Sequence, residues 1–510
     1  MGSWNVKGKP EDREGPEDRE TTRNLRRGPE DREGPEDRVT LIKDADWVIA
    51  WDSRKGRHFY LRGGDVAFKN DLITYVGPDY AGEAERVIDG RNRMVMPGMV
   101  NIHSHLTDGS IDKGIFDETG AKALYGHALY THSPLLKTEE EDIPPAATAS
   151  LCELLLSGVT TTVDISGGYE GWTELMGNSG VRVVLGAGFR QARWVNVGGH
   201  RVEYEWDEDA GWRGLERALE TAEIALSHPS GRLGAMIVPA QADTCTPELL
   251  QAAYKEAEKR DLPFQTHAAQ TMVEFKEILR RHGISPVQWL DSLGVLSDRT
   301  ILGHCIYLDG HSWSPLRTSD DLPLLAERGV TVAHCPTVFG RTGMTLESAG
   351  GYIRGGVQLG IGTDSFPFNM LEELRHAAVY SRITAGDVFD VSTGDLFHAA
   401  TVGGAEALRR KDIGRVETGA KADLVVVDTS HPLMQPLHDP LRSLIYVAAD
   451  RAVRDVFVDG RQVVSEGSVT TMDYDAAVAK EATAQRRAVG RIPEVDPEGR
   501  KIDDIAPFSI

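Results

Sequence analysis

The chain has 510 residues, 40% of them hydrophobic, and a net charge of -22 at pH 7. That length suits one large domain with a smaller one beside it. The negative charge disfavours nucleic acid or an anionic membrane surface as a partner, and a small neutral or cationic ligand is expected instead.

The first segment repeats PEDR at 10–13, 16–19, 29–32 and 35–38, interleaved with Gly-Pro. A charged repeat with so few apolar residues cannot offset its ordering entropy, so 1–38 is expected to be disordered. Short β-like runs follow from residue 39, VTLIKDADWVIAWD, GGDVAFKN and DLITYVG, and the texture returns in KADLVVVDTS and RDVFVDGRQVVSEG. Residues 39–97 and 418–470 are therefore expected to share one small β-sandwich. Between them, 98–417 alternates apolar runs (SGVTTTVDIS, VRVVLGAGF, GAMIVPAQ, LPFQTHAAQ, RTILGHCIYLD, GVTVAHCPT, GVQLGIGTDS) with amphipathic segments such as TPELLQAAYKEAEKRD. With the strand of PGMVNIHSHL this predicts an α/β fold, a (β/α)8 TIM barrel, and leaves 471–510 as a helical or irregular tail. No apolar leader or run long enough to span a bilayer is evident. Cys152, Cys245, Cys305 and Cys335 lack CxxC spacing, so a cytoplasmic protein with free thiols is expected, without nucleic-acid or membrane partners. A homo-oligomer is expected as well.

Polar residues close the apolar runs. His103 and His105 are two apart and would share one face of a strand. His267 ends LPFQTH, His304 ends TILGH and Asp364 ends GVQLGIGTD. A lone histidine at a strand end is usually a packed residue. Five such residues at the C-terminal ends of barrel strands, where barrel active sites lie, point instead to a divalent-metal site with a position left for water.

PGMVNIHSH, QTHAAQ, LGHCIYLD, AHCP and GTDS, in that order over about 39–470, resemble the metal-dependent amidohydrolase superfamily, in the branch of triazine hydrolases and cytosine-deaminase-like enzymes. The resemblance implies that His103, His105, His267 and Asp364 hold the metal. It implies that His304 bonds the metal's water or polarises substrate, and can ligate a second metal. A divalent cation brings the pKa of bound water toward about 7, so hydroxide can attack an sp2 carbon. Asp364 can then carry the proton to the leaving group, and His304 can stabilise the developing charge.

Departures from the branch pattern shape the expected substrate. Deaminases and triazine hydrolases of the branch carry HxxE where this chain has His267-Ala268-Ala269-Gln270, and an amide cannot relay a proton at neutral pH. VPAQADTCTPE resembles their PHAPYTCSPE with Ala240 in place of a histidine and Asp243 in place of a tyrosine. Hydrolysis of an amide, urea or (thio)carbamate is therefore expected, similar to the phenylurea- and thiocarbamate-cleaving members. Deamination or dechlorination of a nitrogen heterocycle is the alternative, and a non-enzymatic scaffold the minor one. The stretch GAMIVPAQADT lacks the lysine that bridges two ions in binuclear relatives, so one metal is expected, zinc by default, with iron, manganese or cobalt also compatible. Gln270, His334, Phe339, Phe366 and Trp313 are the expected substrate contacts, with Trp194, Tyr307 and Phe368 near the same loops. Cys305 and Cys335 are expected to pack into the barrel wall. His127, His132, His282, His311 and His376 are expected in surface or local roles.

Overall fold

A computed structural model describes residues 38–107, 110–132, 134–195 and 200–510. The expected disordered repeat, apart from Arg38, lies outside these residues.

The long first strand, Val39–Asp52, pairs antiparallel with Arg57–Lys69 in a register that sets Ile42 against Val66 and Trp51 against His58. On its other side it meets Arg93–Pro97 in parallel. That strand in turn pairs antiparallel with Leu424–Asp428, Val425 facing Met96. Val453–Val458 and Arg461–Ser465 extend the order, so that a nine-stranded sheet draws its strands from both ends of the described chain. LVVVD is β-branched and almost wholly buried, as a central strand covered on both faces should be. Ile42, Val48, Phe68, Val95, Leu424 and Phe457 form the core under this sheet.

Met99–Asn101, Val159–Ser166 and Arg182–Phe189 open a second, parallel sheet, which Leu233–Ala235 and Val238–Pro239 continue. Bridges from Ile237 to Phe264 and from Gln241 to His267 carry it to Phe264–Ala268, Thr300–His304, Thr331–His334 and Gln358–Ile361. The bridge from Ser104 to Asp364 then joins the last strand's end to the first. The result is a closed (β/α)8 barrel. Helix starts between strands are set by side chains: Thr246, Thr271, Ser285 and Asn369 each accept the backbone N–H three residues on, the usual device for an orphan donor. Arg182, 3% exposed, donates to Asp423 at 3.2 Å and to Asp459 at 2.5 Å, joining a barrel strand to residues of the mixed sheet. After that sheet comes a 22-residue helix, Tyr474–Val495, whose Ala484, Ala488 and Ile492 are buried. Among the described residues no helix is long and apolar enough to cross a membrane.

Candidate active site

The seam of the barrel builds the site. Where first and last strands meet, the Asp364 N–H donates to His103 O at 2.9 Å and the His105 N–H to Asp364 O at 2.7 Å. This ladder places Asp364 between two imidazoles that alternation puts on one face, with Nε2–carboxylate distances of 3.9 Å for His103 and 4.0 Å for His105. His304 Nε2 lies 3.2 Å from Asp364 Oδ2. His103, His105 and His267 bring their donor atoms within 4.8 Å of one another, as do His103, His304, Cys335 and Asp364. Cys335 thus reaches the donor cluster, whereas the sequence pattern placed it in the wall; Cys305 is buried. The backbone turns sharply after these donors: Ala269, Cys305 and Asp364 itself have φ of 53°, 49° and 60°, a left-handed conformation that costs non-glycine residues energy and clusters at functional sites.

The tautomers are set by the surrounding carbonyls. His105 Nδ1 donates to Ile165 O at 2.9 Å and His267 Nδ1 to Ala240 O at 2.5 Å. Both Nε2 atoms therefore present lone pairs, yet they face each other at 3.3 Å. Two lone pairs at that distance repel unless a cation lies between them. His103 and His304, buried, have no hydrogen-bond partner for either ring nitrogen among the described residues, an expensive state for buried polar atoms. This donor set fits a divalent metal, since neutral imidazoles with one carboxylate are what such an ion takes. Burial, reinforced by the neighbouring imidazoles, holds His103 and His304 well below the usual histidine pKa, and the same causes hold His267 at about 3. Burial raises Asp364, while His105 and Arg341 oppose the rise.

A cavity of about 660 Å³ opens over these groups, lined by His105, His267, Asp364, Gln270, Phe339 and Phe366. Of the expected substrate contacts, Trp313 is not in its wall: it is 53% exposed and stacks on Tyr307. His334 ends its strand but is buried, its pKa pushed down to about 3, and it does not line the cavity either. His127 and His132, expected in surface or local roles, do line it, with Trp194, Arg190 and Arg341. Burial lowers His127 to about 4. Arg341 lies 4.0 Å over the Phe366 ring and pairs with Asp117 at 2.7 Å. Asp243 is buried and accepts from Trp194 Nε1 at 2.9 Å and Tyr204 OH at 2.6 Å, so it orients an aromatic wall residue. Glu274 accepts the backbone N–H groups of Ala269 and Gln270, both at 2.8 Å, and fixes the turn that carries Gln270. A second cavity, about 700 Å³ between the Val39–Lys69 hairpin and the segment 392–406, contains none of the donor residues.

The family model described as "Amidohydrolase family" matches residues 94–463. The chain belongs to the amidohydrolase family. Within it, the chain is 31% identical over 428 residues to a 5-methylthioadenosine/S-adenosylhomocysteine deaminase of Natronomonas pharaonis, covering 83% of this chain and 93% of that protein. A 5'-deoxyadenosine deaminase of Methanothermobacter thermautotrophicus is 26% identical, covering 83% of this chain and 95% of its own. An adenosine deaminase structure from Xanthomonas campestris with bound zinc superposes with a TM-score of 0.75 at 26% identity, covering 88% of this chain and 98% of that one. The triazine hydrolase structure of Arthrobacter aurescens, at 24% identity and a TM-score of 0.75 over 88% of this chain and 99% of its own, shares the fold. These amidohydrolase relatives are named as deaminases, so the expected kinship with phenylurea and thiocarbamate hydrolases is not supported.

Proposed function

We propose that this amidohydrolase is an aminohydrolase, replacing the amino group of a nitrogen heterocycle by hydroxyl and releasing ammonia, with zinc held by His103, His105, His267 and Asp364. The observation that carries the reading is the pair of Nε2 lone pairs of His105 and His267 facing each other at 3.3 Å beneath the cavity, in a chain aligned with deaminases over more than nine-tenths of their length. Held by these residues, a zinc ion would supply a bound water with a pKa near 7. Asp364 Oδ2 takes the proton of the attacking water and returns it to the leaving nitrogen. His304, 3.2 Å from that oxygen, is placed to stabilise charge developing on the ring. Phe339 and Phe366 give the cavity that would hold a flat substrate part of its apolar lining. The cavity's 660 Å³ is within the ordinary range for a small-molecule site.

Gln270 favours a second reading. Its amide lies in the cavity wall at the position of the branch's glutamate and cannot relay a proton. That arrangement suits a leaving group that departs with little protonation, such as chloride, a thiol or an aniline. The deciding experiment is a screen of the purified, zinc-loaded protein against adenine nucleosides, other aminated heterocycles, chlorinated heterocycles, aryl ureas and carbamates, reading ammonia, chloride and amine separately. Ammonia release is expected; amine from ureas with every heterocycle untouched would overturn the proposal. Gln270→Glu adds a proton relay, so it is expected to raise ammonia release relative to chloride or thiol release, general acid catalysis contributing about 10²–10⁴-fold. An equal effect on both leaving groups counts against this account of Gln270.

A further inference from the structure

We infer that the C-terminal helix Tyr474–Val495 is a structural wall of the cavity, with Gln485 as the positioning residue that holds the lining residues of 110–132 and 134–137 in place. The inference rests on the cavity being the substrate site. That segment supplies Ile111, Phe116, Asp117, His127, His132 and Leu136 to the lining. Among its described residues, the only helical elements are the three-residue turns Ser110–Asp112 and Lys122–Leu124. Its internal hydrogen bonds are short-range turns, such as Ile115 N–H to Asp112 O and His132 N–H to Ala128 O, which shape it locally but leave its placement over the cavity to what packs on it.

It is clamped on two sides. From the barrel, Arg341 pairs with Asp117. From the opposite side, Gln485 Nε2 donates to Ile111 O at 2.8 Å and to Lys113 O at 3.0 Å, across more than 370 residues of sequence. Beside these bonds, Ala484, Ala488 and Ile492 pack on Ile111, Leu135 and Leu136, with Phe116 against the same cluster. Ile111, Phe116 and Leu136 thus touch the helix cluster and line the cavity at once, so a single layer of side chains separates the two. Two and six residues further along the helix, Arg487 pairs with Asp142 and Arg491 with Glu139, just before the first barrel helix. These pairs tie the helix to the barrel without Gln485; on the lining itself the Lys113–Glu153 pair at 2.6 Å and the Tyr130–Thr271 bond at 2.7 Å hold other points, and the Gln485 amide holds the backbone at Ile111 and Lys113. No metal-donor residue contacts this helix through these groups, so the predicted effect falls on substrate and not on metal.

The test compares full-length wild type with Gln485→Leu and with Gln485→Glu, which keeps the side chain's shape but cannot donate to a carbonyl. Gln485→Lys, able to donate, serves as rescue and Arg486→Ala, on the exposed side, as control. Amide hydrogen exchange, zinc content and steady-state kinetics on a substrate from the heterocycle screen are read together. The expected result is faster exchange across 110–136 in the Leu and Glu variants, unchanged zinc content, KM raised about tenfold with little change in kcat, and protection restored by lysine. If Gln485→Leu does not fold, Gln485→Glu carries the comparison. Unchanged exchange across 110–136, or a fall in zinc content or kcat with KM intact, overturns the inference. A screen in which no heterocycle yields ammonia counts against the aminohydrolase reading alone, since exchange still decides whether Gln485 holds the wall.

Discussion

Gly303 sits directly beneath the His103 ring, and alanine there is the most selective perturbation of the donor set. A Cβ at 303 would lie 2.9 Å from His103 Cε1 and 3.1 Å from Nδ1. Carbon atoms in ordinary contact are about 3.5–4.0 Å apart, so the ring must retreat by roughly 0.6–1 Å. His103 has 0% exposure and is surrounded by the His105, His267 and His304 rings at centroid distances of 5.2, 4.8 and 4.6 Å, which leaves it nowhere neutral to go. Gly303 does not have a positive φ, so alanine meets no left-handed-backbone penalty there, and the contacts its Cβ would make are with the His103 ring. Displacing a donor by this much should weaken zinc binding by about 10–100-fold, equivalent to ~1.4–2.8 kcal/mol, and slow turnover by about 10²-fold at saturating zinc. Competition with a chromophoric chelator measures the first, and steady-state kinetics the second. Thermal melting in excess chelator reads the packing cost of the added methyl separately, about 1–3 kcal/mol for an overpacked interior. Wild-type zinc affinity in Gly303→Ala would refute the idea that His103 is a ligand held in this pose.

Three other expectations are open to direct measurement. His103→Ala and Asp364→Ala should each lose zinc and turnover while keeping near-native far-UV circular dichroism; stoichiometric zinc in either variant would disprove the assigned ligands. Arg182→Ala leaves Asp423 buried and unpaired, so urea denaturation should show a loss of about 3–5 kcal/mol, and a loss below ~1 kcal/mol would mean the pair is dispensable. Glu274 is pushed up to about 8 from 4.5 by burial, with Asp243 adding to the shift. The folded chain therefore keeps a proton that the unfolded chain releases near 4.5, so this group's contribution is complete at lower pH and is lost as pH rises toward 8. Urea midpoints at pH 5, 6, 7 and 8 should fall less in Glu274→Gln than in wild type, and identical slopes would contradict the assignment.

The donor residues were legible because barrel geometry puts strand-end side chains in one place, and each donor follows an apolar run that can be read locally. Trp313 and His334 do not line the cavity. Nothing near Trp313 tells which way its loop folds, and His334, which also ends a strand, is buried beside His304. His127 and His132 carry no local signal at all. They reach the cavity because the loop after the first strand folds back, where His127 meets the Phe339 ring at 5.8 Å and His132 stacks on Phe116 at 5.2 Å. The substrate reading turned on Gln270, Ala240 and Asp243, three side chains, whereas the similarity to deaminases is spread over more than 420 residues. The nine-stranded sheet had a readable texture at both ends, but its partner order depends on pairings such as Val425 with Met96, which no local pattern specifies.

The Ser104–Asp364 bridge at the barrel seam has a consequence for the order of events during synthesis. His103 and His105 leave the ribosome some 260 residues before Asp364, with His267 and His304 between them. A growing chain therefore carries an incomplete set of imidazoles for most of its elongation, a set that any available transition metal can occupy in the wrong geometry. On the proposed ligand set, the carboxylate that completes it arrives with the strand that shuts the barrel, so an ion would meet its full set of donors only on closure. Zinc supplied after release and zinc present throughout translation should then give the same holoprotein, whereas copper present only during translation should leave a misfolded fraction.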